Sequence, residues 1–117
     1  MLISPAKRPE WKGLLSGIRK CGFNVLRTEN ANGAFDILRN ERVKVIIAEY
    51  ELPDTGGLEF LAMARSISPG VEVIFLSEKA SLSVAIEAMK AGAYDFYEIP
   101  VNSNLLIAVL EKAEEKH

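Results

Sequence analysis

Two short apolar runs of this sequence end in side chains that could take part in chemistry. Glu49 closes the run that begins at Val43, and Ser77 closes the run that begins at Val71. A hydroxyl at the second position could donate a hydrogen bond to an anion bound beside the carboxylate. After Glu49, a proline at position 53 and a Gly-Gly pair at 56–57 predict a tight loop into a helix.

Other residue types exclude several kinds of site. His117 is the only histidine and stands at the terminus, where we expect a frayed residue or a tag remnant, so no nucleophile–histidine pair is predicted. The sequence has no glycine-rich phosphate loop and no zinc-ligand spacing, and the single cysteine, Cys21, excludes an internal disulfide. We therefore predict a protein that is not an enzyme, with no catalytic residues and no metal site.

The elements that must position Glu49 and Ser77 are predicted from an alternation of two patterns. Runs rich in β-branched residues predict strands at 2–4, 24–27, 43–49, 71–77 and 95–99. Between them, segments of helical period predict helices at about 11–21, 31–40, 58–66 and 82–91, and a fifth after Pro100 with Asn102 or Ser103 as its N-cap. Gly22 and Gly92 are expected to end the first and fourth helices.

The helical periodicity also predicts which side chains face the core. Cys21 falls on the apolar arc of the first helix. For the fourth helix the predicted core residues are Leu82, Ala85, Ile86 and Met89, and for the fifth they are Leu105, Leu106, Val109, Leu110 and Ala113.

Five βα units in 117 residues predict an α/β domain with an open, doubly wound parallel sheet. In such sheets, function lies at the carboxyl ends of the strands. The candidate segments are therefore 4–8, 48–54, 77–79 and 98–101. An Ile-Pro pair at 99–100 could hold a cis bond there.

Length and composition limit the class of protein. With 117 residues and 49% hydrophobic residues, we predict one domain spanning 1–117. A net charge of -2 argues against direct binding of nucleic acid. No apolar run reaches the length of a membrane helix, and the first residues do not form a signal peptide, so we predict a cytoplasmic protein with no membrane contact.

Several motifs, taken in order, resemble the response-regulator receiver domain, the CheY-like phosphorylation module, in its NtrC-type form. They are the acid-x-x-Leu-Pro-x-x-x-Gly pattern at 49–57, the strand that ends in a hydroxyl at Ser77, and Ala-Gly-Ala-x-Asp-Phe at 91–96. The resemblance covers essentially the whole chain. It implies a flavodoxin-like (βα)5 fold with strand order 2-1-3-4-5 and a role in two-component signalling or transcriptional regulation.

The resemblance also implies a degenerate phosphorylation site. Ala6 and Lys7 stand where receivers carry the acidic pair that binds Mg²⁺, Glu49 replaces the phospho-acceptor aspartate, and Ile99 replaces the phosphate-contacting lysine. Mg²⁺ would lose most of its anionic ligands, so we expect no cofactor. The pattern predicts a pseudo-receiver that acts as a phosphorylation-independent protein-interaction module.

Two positions match the family, and their roles stay open. Ser77 matches the hydroxyl position, where it could meet Glu49 acting as a phospho-aspartate mimic, or simply cap the following loop. In the second case Glu49 is an inert acid, solvated or paired with Lys7. Phe96 matches the switch aromatic; of Phe96 and its neighbour Tyr97, we expect one in the core and one partly exposed.

Alternatives to this function also remain. The nearby acids could form a displaced cation site or a solvated rim; they are Glu51, Asp54, Glu78 and Glu98. The domain could still be phosphorylated with unusual geometry, on Glu49 or Asp54. It could instead bind a small molecule such as FMN, or an anion near Lys7 and Arg8, at the switch point of the sheet.

Apolar residues beyond the predicted core suggest an interaction surface on the fourth helix, fifth strand and fifth helix. The candidates are Val84, Ala88, Ile99 and Ile107. Receivers use this face to dimerise or to bind outputs, so the expected partner is a protein or an output domain, including a second copy of the chain.

Overall fold

A computed structural model describes the backbone of residues 2–3 and 10–115, and the side chains of residues 13–115. The strands are β1 (Leu2–Ile3), β2 (Arg27–Thr28), β3 (Val45–Glu49), β4 (Glu72–Ser77) and β5 (Asp95–Glu98). The helices are α1 (Glu10–Lys20), α2 (Ala31–Asn40), α3 (Gly57–Ile67), α4 (Leu82–Lys90) and α5 (Ser103–Glu115). No helix in this part of the chain is both long and apolar enough to cross a membrane.

The five strands form one parallel sheet in the order β2-β1-β3-β4-β5. This confirms the flavodoxin-like α/β fold and the strand order 2-1-3-4-5. The central pairing is in register from Val45 opposite Glu72 to Glu49 opposite Leu76. Glu49 and Ser77 therefore reach the same carboxyl edge of the sheet.

The first two strands of this sheet are short. β2 is the main departure from the predicted bounds, since it begins at Arg27 and not at Asn24. The apolar residues of the predicted strand, Val25 and Leu26, pack against the two core clusters without forming a strand ladder.

Local signals in the sequence determine the helix ends. Gly22 and Gly92 follow α1 and α4 with φ of 89° and 106°, a conformation that glycine adopts without strain. At the start of α4, the Ser81 hydroxyl accepts a hydrogen bond from Val84 N at 3.2 Å. Asn102 rather than Ser103 caps α5, because its Oδ1 accepts from Asn104 N at 2.8 Å and from Leu105 N at 3.1 Å.

The sheet buries an apolar cluster on each face, as its continuous apolar strands predict. One cluster joins alternate residues of β3 and β4 to α2, α3 and Ala88 of α4. The other joins the remaining alternate residues to α1 and α5. Glu49 and Ser77 therefore stand at the ends of strands that are buried on both faces.

The orientation of α4 corrects the predicted core face. Ala88 is fully buried, with 0% exposure, whereas Leu82 is 78% exposed and Ile86 and Met89 are also exposed. Val84 and Ala85 are half-buried. The helix is apolar around most of its circumference, so periodicity alone does not choose the buried side. Small side chains face the sheet, and the larger ones are left outside.

Four further predictions about packing are wrong. Leu105 is exposed, and Ile107, predicted to lie outside the core, is half-buried on the cluster between α1 and α5. Ile99 is only 8% exposed and lies in the same cluster, so it is not a surface residue. Cys21 is exposed beyond the end of α1, with its Sγ 3.9 Å from Glu111 Oε1.

Candidate functional site

The candidate site is built from the ends of β3 and β4 and the loops that follow them. Glu49 is 6% exposed at the last position of β3. The pairing of the two strands continues past it, because Tyr50 N donates to Leu76 O at 2.8 Å. The two loops therefore leave the sheet side by side.

Ser77 is buried, with 1% exposure, and its hydroxyl has two hydrogen-bonding partners. It lies 2.8 Å from Glu51 Oε1 and 3.0 Å from Glu51 Oε2, and it accepts from Lys79 N at 3.1 Å. The predicted loop-capping role is therefore confirmed. Because a hydroxyl has a single proton and this one is directed to Glu51, Ser77 does not donate to Glu49 as the mimic hypothesis required. No signal in the sequence distinguishes Glu51 from the other nearby acids.

Asp54 lies in the same loop as Glu51 but its carboxylate turns towards α2. Its Oδ1 and Oδ2 accept hydrogen bonds from Ala31 N and Asn32 N, each at 3.0 Å. The slight burial of Asp54 acts to raise its pKa, but the backbone donors outweigh it and hold the pKa below its ordinary value. Asp54 therefore caps α2 together with Asn30, whose Oδ1 accepts from Gly33 N.

Three aromatic rings pack beneath the loops. The Tyr50 ring lies 5.1 Å from Phe75 and 5.4 Å from Phe96, both in edge contacts. Burial, followed by the nearby carboxylates of Glu87, Glu59 and Glu51, raises the pKa of Tyr50. Phe96, which matches the switch aromatic, is thus half-buried against a neighbouring ring of the β3–α3 loop.

The opposite face of β5 carries Tyr97. Both aromatic neighbours are half-buried, so the expected contrast between Phe96 and Tyr97 is not found. The Tyr97 hydroxyl donates to Asp95 Oδ2 at 2.7 Å. Burial and this hydrogen bond raise the pKa of Tyr97 to about 12, so its phenol is neutral at ordinary pH.

Ile99, which the resemblance aligns with the family's lysine, directly follows β5. Its side chain packs in the core cluster, its N donates to Ser77 O at 2.9 Å, and the Ile99–Pro100 peptide bond is cis. An aliphatic side chain at this place supplies neither charge nor hydrogen bonds. Ala6, Lys7, Arg8 and His117 lie outside the described residues.

The described carboxylates do not fit the Mg²⁺ that the resemblance implies. Mg²⁺ needs oxygen ligands in a nearly octahedral array. Glu51 is directed to Ser77 and Asp54 to α2, and among the described residues no three His, Cys, Asp or Glu side chains form a group that could hold a metal. The predicted displaced cation site is therefore not formed by this part of the chain.

A cavity of about 410 Å³ lies at the opposite edge of the sheet, beside the amino ends of β2 and β3. Its lining includes Ile18, Phe23, Val43 and Lys44. This place is far from the switch point at which flavodoxin-like sheets bind ligands. The cavity therefore gives no support to a small molecule bound beside Glu49.

Comparisons with known proteins agree on the family. The family model of the response regulator receiver domain matches residues 7–111. The nitrogen assimilation regulatory protein NtrX of Azorhizobium caulinodans is 32% identical over 110 residues, covering 92% of this chain and 24% of that protein. The transcriptional regulatory protein FixJ of Rhizobium meliloti is 28% identical over 109 residues, covering 93% of this chain and 53% of that protein. The chain thus spans about a quarter to a half of these relatives.

Solved structures share the fold. A response regulator receiver domain protein from Clostridium thermocellum has a TM-score of 0.84 and 26% identity, over 98% of this chain and 92% of that one. The beryllofluoride-activated NtrC4 receiver domain dimer has a TM-score of 0.86 and 23% identity, over 98% and 94% of the two chains. With the family model spanning most of the chain and the β2-β1-β3-β4-β5 sheet in place, the protein belongs to the response regulator receiver domain family.

Proposed function

We propose that this receiver domain is a cytoplasmic, phosphorylation-independent protein-interaction module of two-component signalling, and that it catalyses no reaction. The observation that carries the proposal is the burial of Ile99 in the apolar core, at the position of the phosphate-contacting lysine. An incoming phosphoryl group would find an aliphatic surface there.

Charge supports the same conclusion. Phosphoryl transfer depends on positioning and on neutralising the phosphate oxygens. The acidic pair is replaced by Ala6 and Lys7, and the described carboxylates near Glu49 do not converge on a cation. Without bound Mg²⁺ or a lysine, the negative charge of the transferring group is left largely unneutralised.

An exposed apolar stripe on α4 supports the interaction role. Leu82, Ile86 and Met89 are spaced by four and three residues, so they lie along one side of the helix, and Leu105 is exposed on α5. The three α4 residues, called the α4 stripe below, and Leu105 replace the predicted set of Val84, Ala88, Ile99 and Ile107. We propose that the stripe contacts a protein partner or an output domain, including a second copy of this chain.

The relatives are compatible with such a role. NtrX and FixJ are regulatory proteins longer than this chain, and one similar fold was solved as a receiver dimer. A domain that keeps the family fold and an apolar face can still associate after its phosphorylation chemistry is lost.

The test is an amide NMR titration with Mg²⁺ and then with Mg²⁺ plus beryllofluoride, which mimics a phosphoryl group. We expect the resonances of residues 48–52, 77 and 96–99 to stay in place. A receiver that retains the acidic pair, titrated in parallel, is the positive control. Saturable shifts in this protein would instead support the alternative, a receiver still phosphorylated with unusual geometry.

A further inference from the structure

We propose that Glu51 is an internal ligand of Ser77, and that its carboxylate links the β3–α3 and β4–α4 loops without any phosphoryl group. The inference deepens the proposed function and rests on it. It moves the role of the built-in anion from Glu49, at the acceptor position, to the residue two places later.

The first support is the use of the Ser77 hydroxyl. The hydroxyl is buried, its proton is directed to the Glu51 carboxylate, and its oxygen accepts from Lys79 N. An ionised acceptor makes this hydrogen bond stronger than one between neutral groups. The Ser77 side chain therefore has a partner in each of the two loops. It has an anionic acceptor without binding an external anion.

The second support is the backbone that presents Glu51. Tyr50 N is hydrogen-bonded to Leu76 O, and Glu51 pairs with Gly56 in an antiparallel bridge that closes the loop. These contacts hold the backbone of residues 50 and 51 beside β4. Little further ordering is needed to keep the contact with Ser77, which lowers its entropic cost.

The third support is continuity with the aromatic rings. Tyr50 precedes Glu51 and its ring contacts both Phe75 and Phe96, which lie opposite each other in β4 and β5. A loop held by Glu51 therefore also holds the ring against which Phe96 packs. Loss of the Glu51–Ser77 contact should therefore change the surroundings of the Phe96 ring.

The carboxylate also acts against a bound phosphate. Two like charges close together repel each other, so a phosphoryl group beside Ser77 would meet the negative charge of Glu51. Glu51 thus supplies the hydrogen-bond acceptor for Ser77 and also disfavours the binding of a phosphoryl group there.

The experiment is hydrogen exchange and ring NMR on the whole chain, without Mg²⁺ or phosphate, for three variants of Glu51. Glu51→Asp keeps the charge but shortens the side chain by one methylene. Glu51→Ala removes the carboxylate altogether. Glu51→Gln keeps the length of the side chain and offers a neutral acceptor. Glu29→Gln, at an exposed position between β2 and α2, is the control for the loss of one negative charge.

We expect exchange at the Lys79 amide and in residues 50–56 to rise roughly tenfold in Glu51→Ala and Glu51→Asp, and less in Glu51→Gln. The Phe96 ring resonances should move in the same order, and Glu29→Gln should match the wild type. Ser77→Ala should raise exchange in residues 50–56, and combining it with Glu51→Ala should add little, because both remove one contact.

Unchanged protection at Lys79 in Glu51→Ala, or fully additive effects of Glu51→Ala and Ser77→Ala, would overturn the inference. The outcome is separable from that of the proposed function. A beryllofluoride response of the wild type would contradict the proposed function, whereas the Glu51 variants are measured with no ligand present.

Discussion

At the scale of single residues, three acids of one segment have three different surroundings. Glu49 is buried at the end of β3, Glu51 accepts from Ser77, and Asp54 accepts from the backbone of α2. The sequence identifies these acids as candidates because they follow an apolar strand. It cannot assign their partners, because Ser77 and Ala31 lie more than twenty positions away and are brought near only by the folded loops.

Asp54 gives a prediction about acid stability. Hydrogen bonds from Ala31 N and Asn32 N lower its pKa in the folded state, so the folded protein binds this proton less tightly than the unfolded chain. Its stabilisation is present above the ordinary pKa of 3.8 and is lost as the pH falls through the lower folded pKa. We expect Asp54→Ala to reduce the free energy of unfolding by about 0.5–1 kcal/mol at neutral pH, as for a helix cap.

Urea unfolding of wild type and Asp54→Ala, from neutral pH into the acid range, measures this difference. The difference in the free energy of unfolding between the two proteins should become smaller once Asp54 is protonated. Asp36→Ala is the control, since Asp36 is an exposed partner of Arg39 on the same helix and should contribute less. A gap between wild type and Asp54→Ala that stays constant down to the lowest pH would show that the charge of Asp54 is not what stabilises α2.

At the scale of elements, periodicity predicts where a helix lies better than which side it buries. α2 has the predicted bounds, and the main strands β3 and β4 fall within theirs. The predicted core faces of α4 and α5 fail in part, because both helices carry apolar residues around much of their circumference. In these helices the buried side is the one whose side chains let the helix pack closely on the sheet. Ala88 in α4 and Leu106 in α5 are fully buried there.

The α4 stripe gives a prediction about association. Leu82→Glu and Ile86→Glu should each weaken self-association or partner binding by roughly tenfold, because a charge placed in an apolar contact must be desolvated. Both changes suit the helix itself. An acid at position 82 lies in the first turn, and an acid at 86 is four residues before Lys90. The free energy of unfolding should therefore change by less than about 0.5 kcal/mol.

Analytical ultracentrifugation of the wild type and the variants measures the effect on self-association. Met63→Glu is the control, because Met63 on α3 is 45% exposed, close to the 43% of Ile86. Equal association of the wild type and both α4 variants would exclude the stripe as the contact surface. An equal loss in all three variants would point to general charge repulsion instead.

At the scale of the whole molecule, the fold and the phosphorylation site are separable. The fold is specified by many apolar positions, so the sheet order survives and could be predicted from the chain and its family resemblance. The site depends on a few side chains, and the resemblance aligns Ala6, Lys7, Glu49 and Ile99 with positions where receivers carry other residues. The proposed function thus separates a receiver fold, with a TM-score of 0.84 to a receiver domain protein, from the groups needed for phosphorylation.

The proposed loss of phosphorylation predicts that a response to phosphoryl mimics can be introduced by substitution. Replacing Ala6 and Lys7 by Asp, Glu49 by Asp and Ile99 by Lys introduces the charged groups that the resemblance places at these four positions. The ammonium introduced by Ile99→Lys would start from a position that is 8% exposed, so the unliganded variant should lose about 1–3 kcal/mol of stability. The long aliphatic chain of the introduced lysine can still carry the charge towards the loops.

Thermal unfolding with and without Mg²⁺ plus beryllofluoride measures how much the ligand stabilises each variant. The wild type should not respond, whereas the fourfold variant should be stabilised by about 2.7 kcal/mol at a ligand concentration about one hundred times its dissociation constant. The same variant with Ile99 retained should respond less. Adding Glu51→Ala should strengthen the response, because the internal carboxylate no longer competes for Ser77. If none of these variants responds, the loss lies in the arrangement of the loops and not in the four substituted side chains.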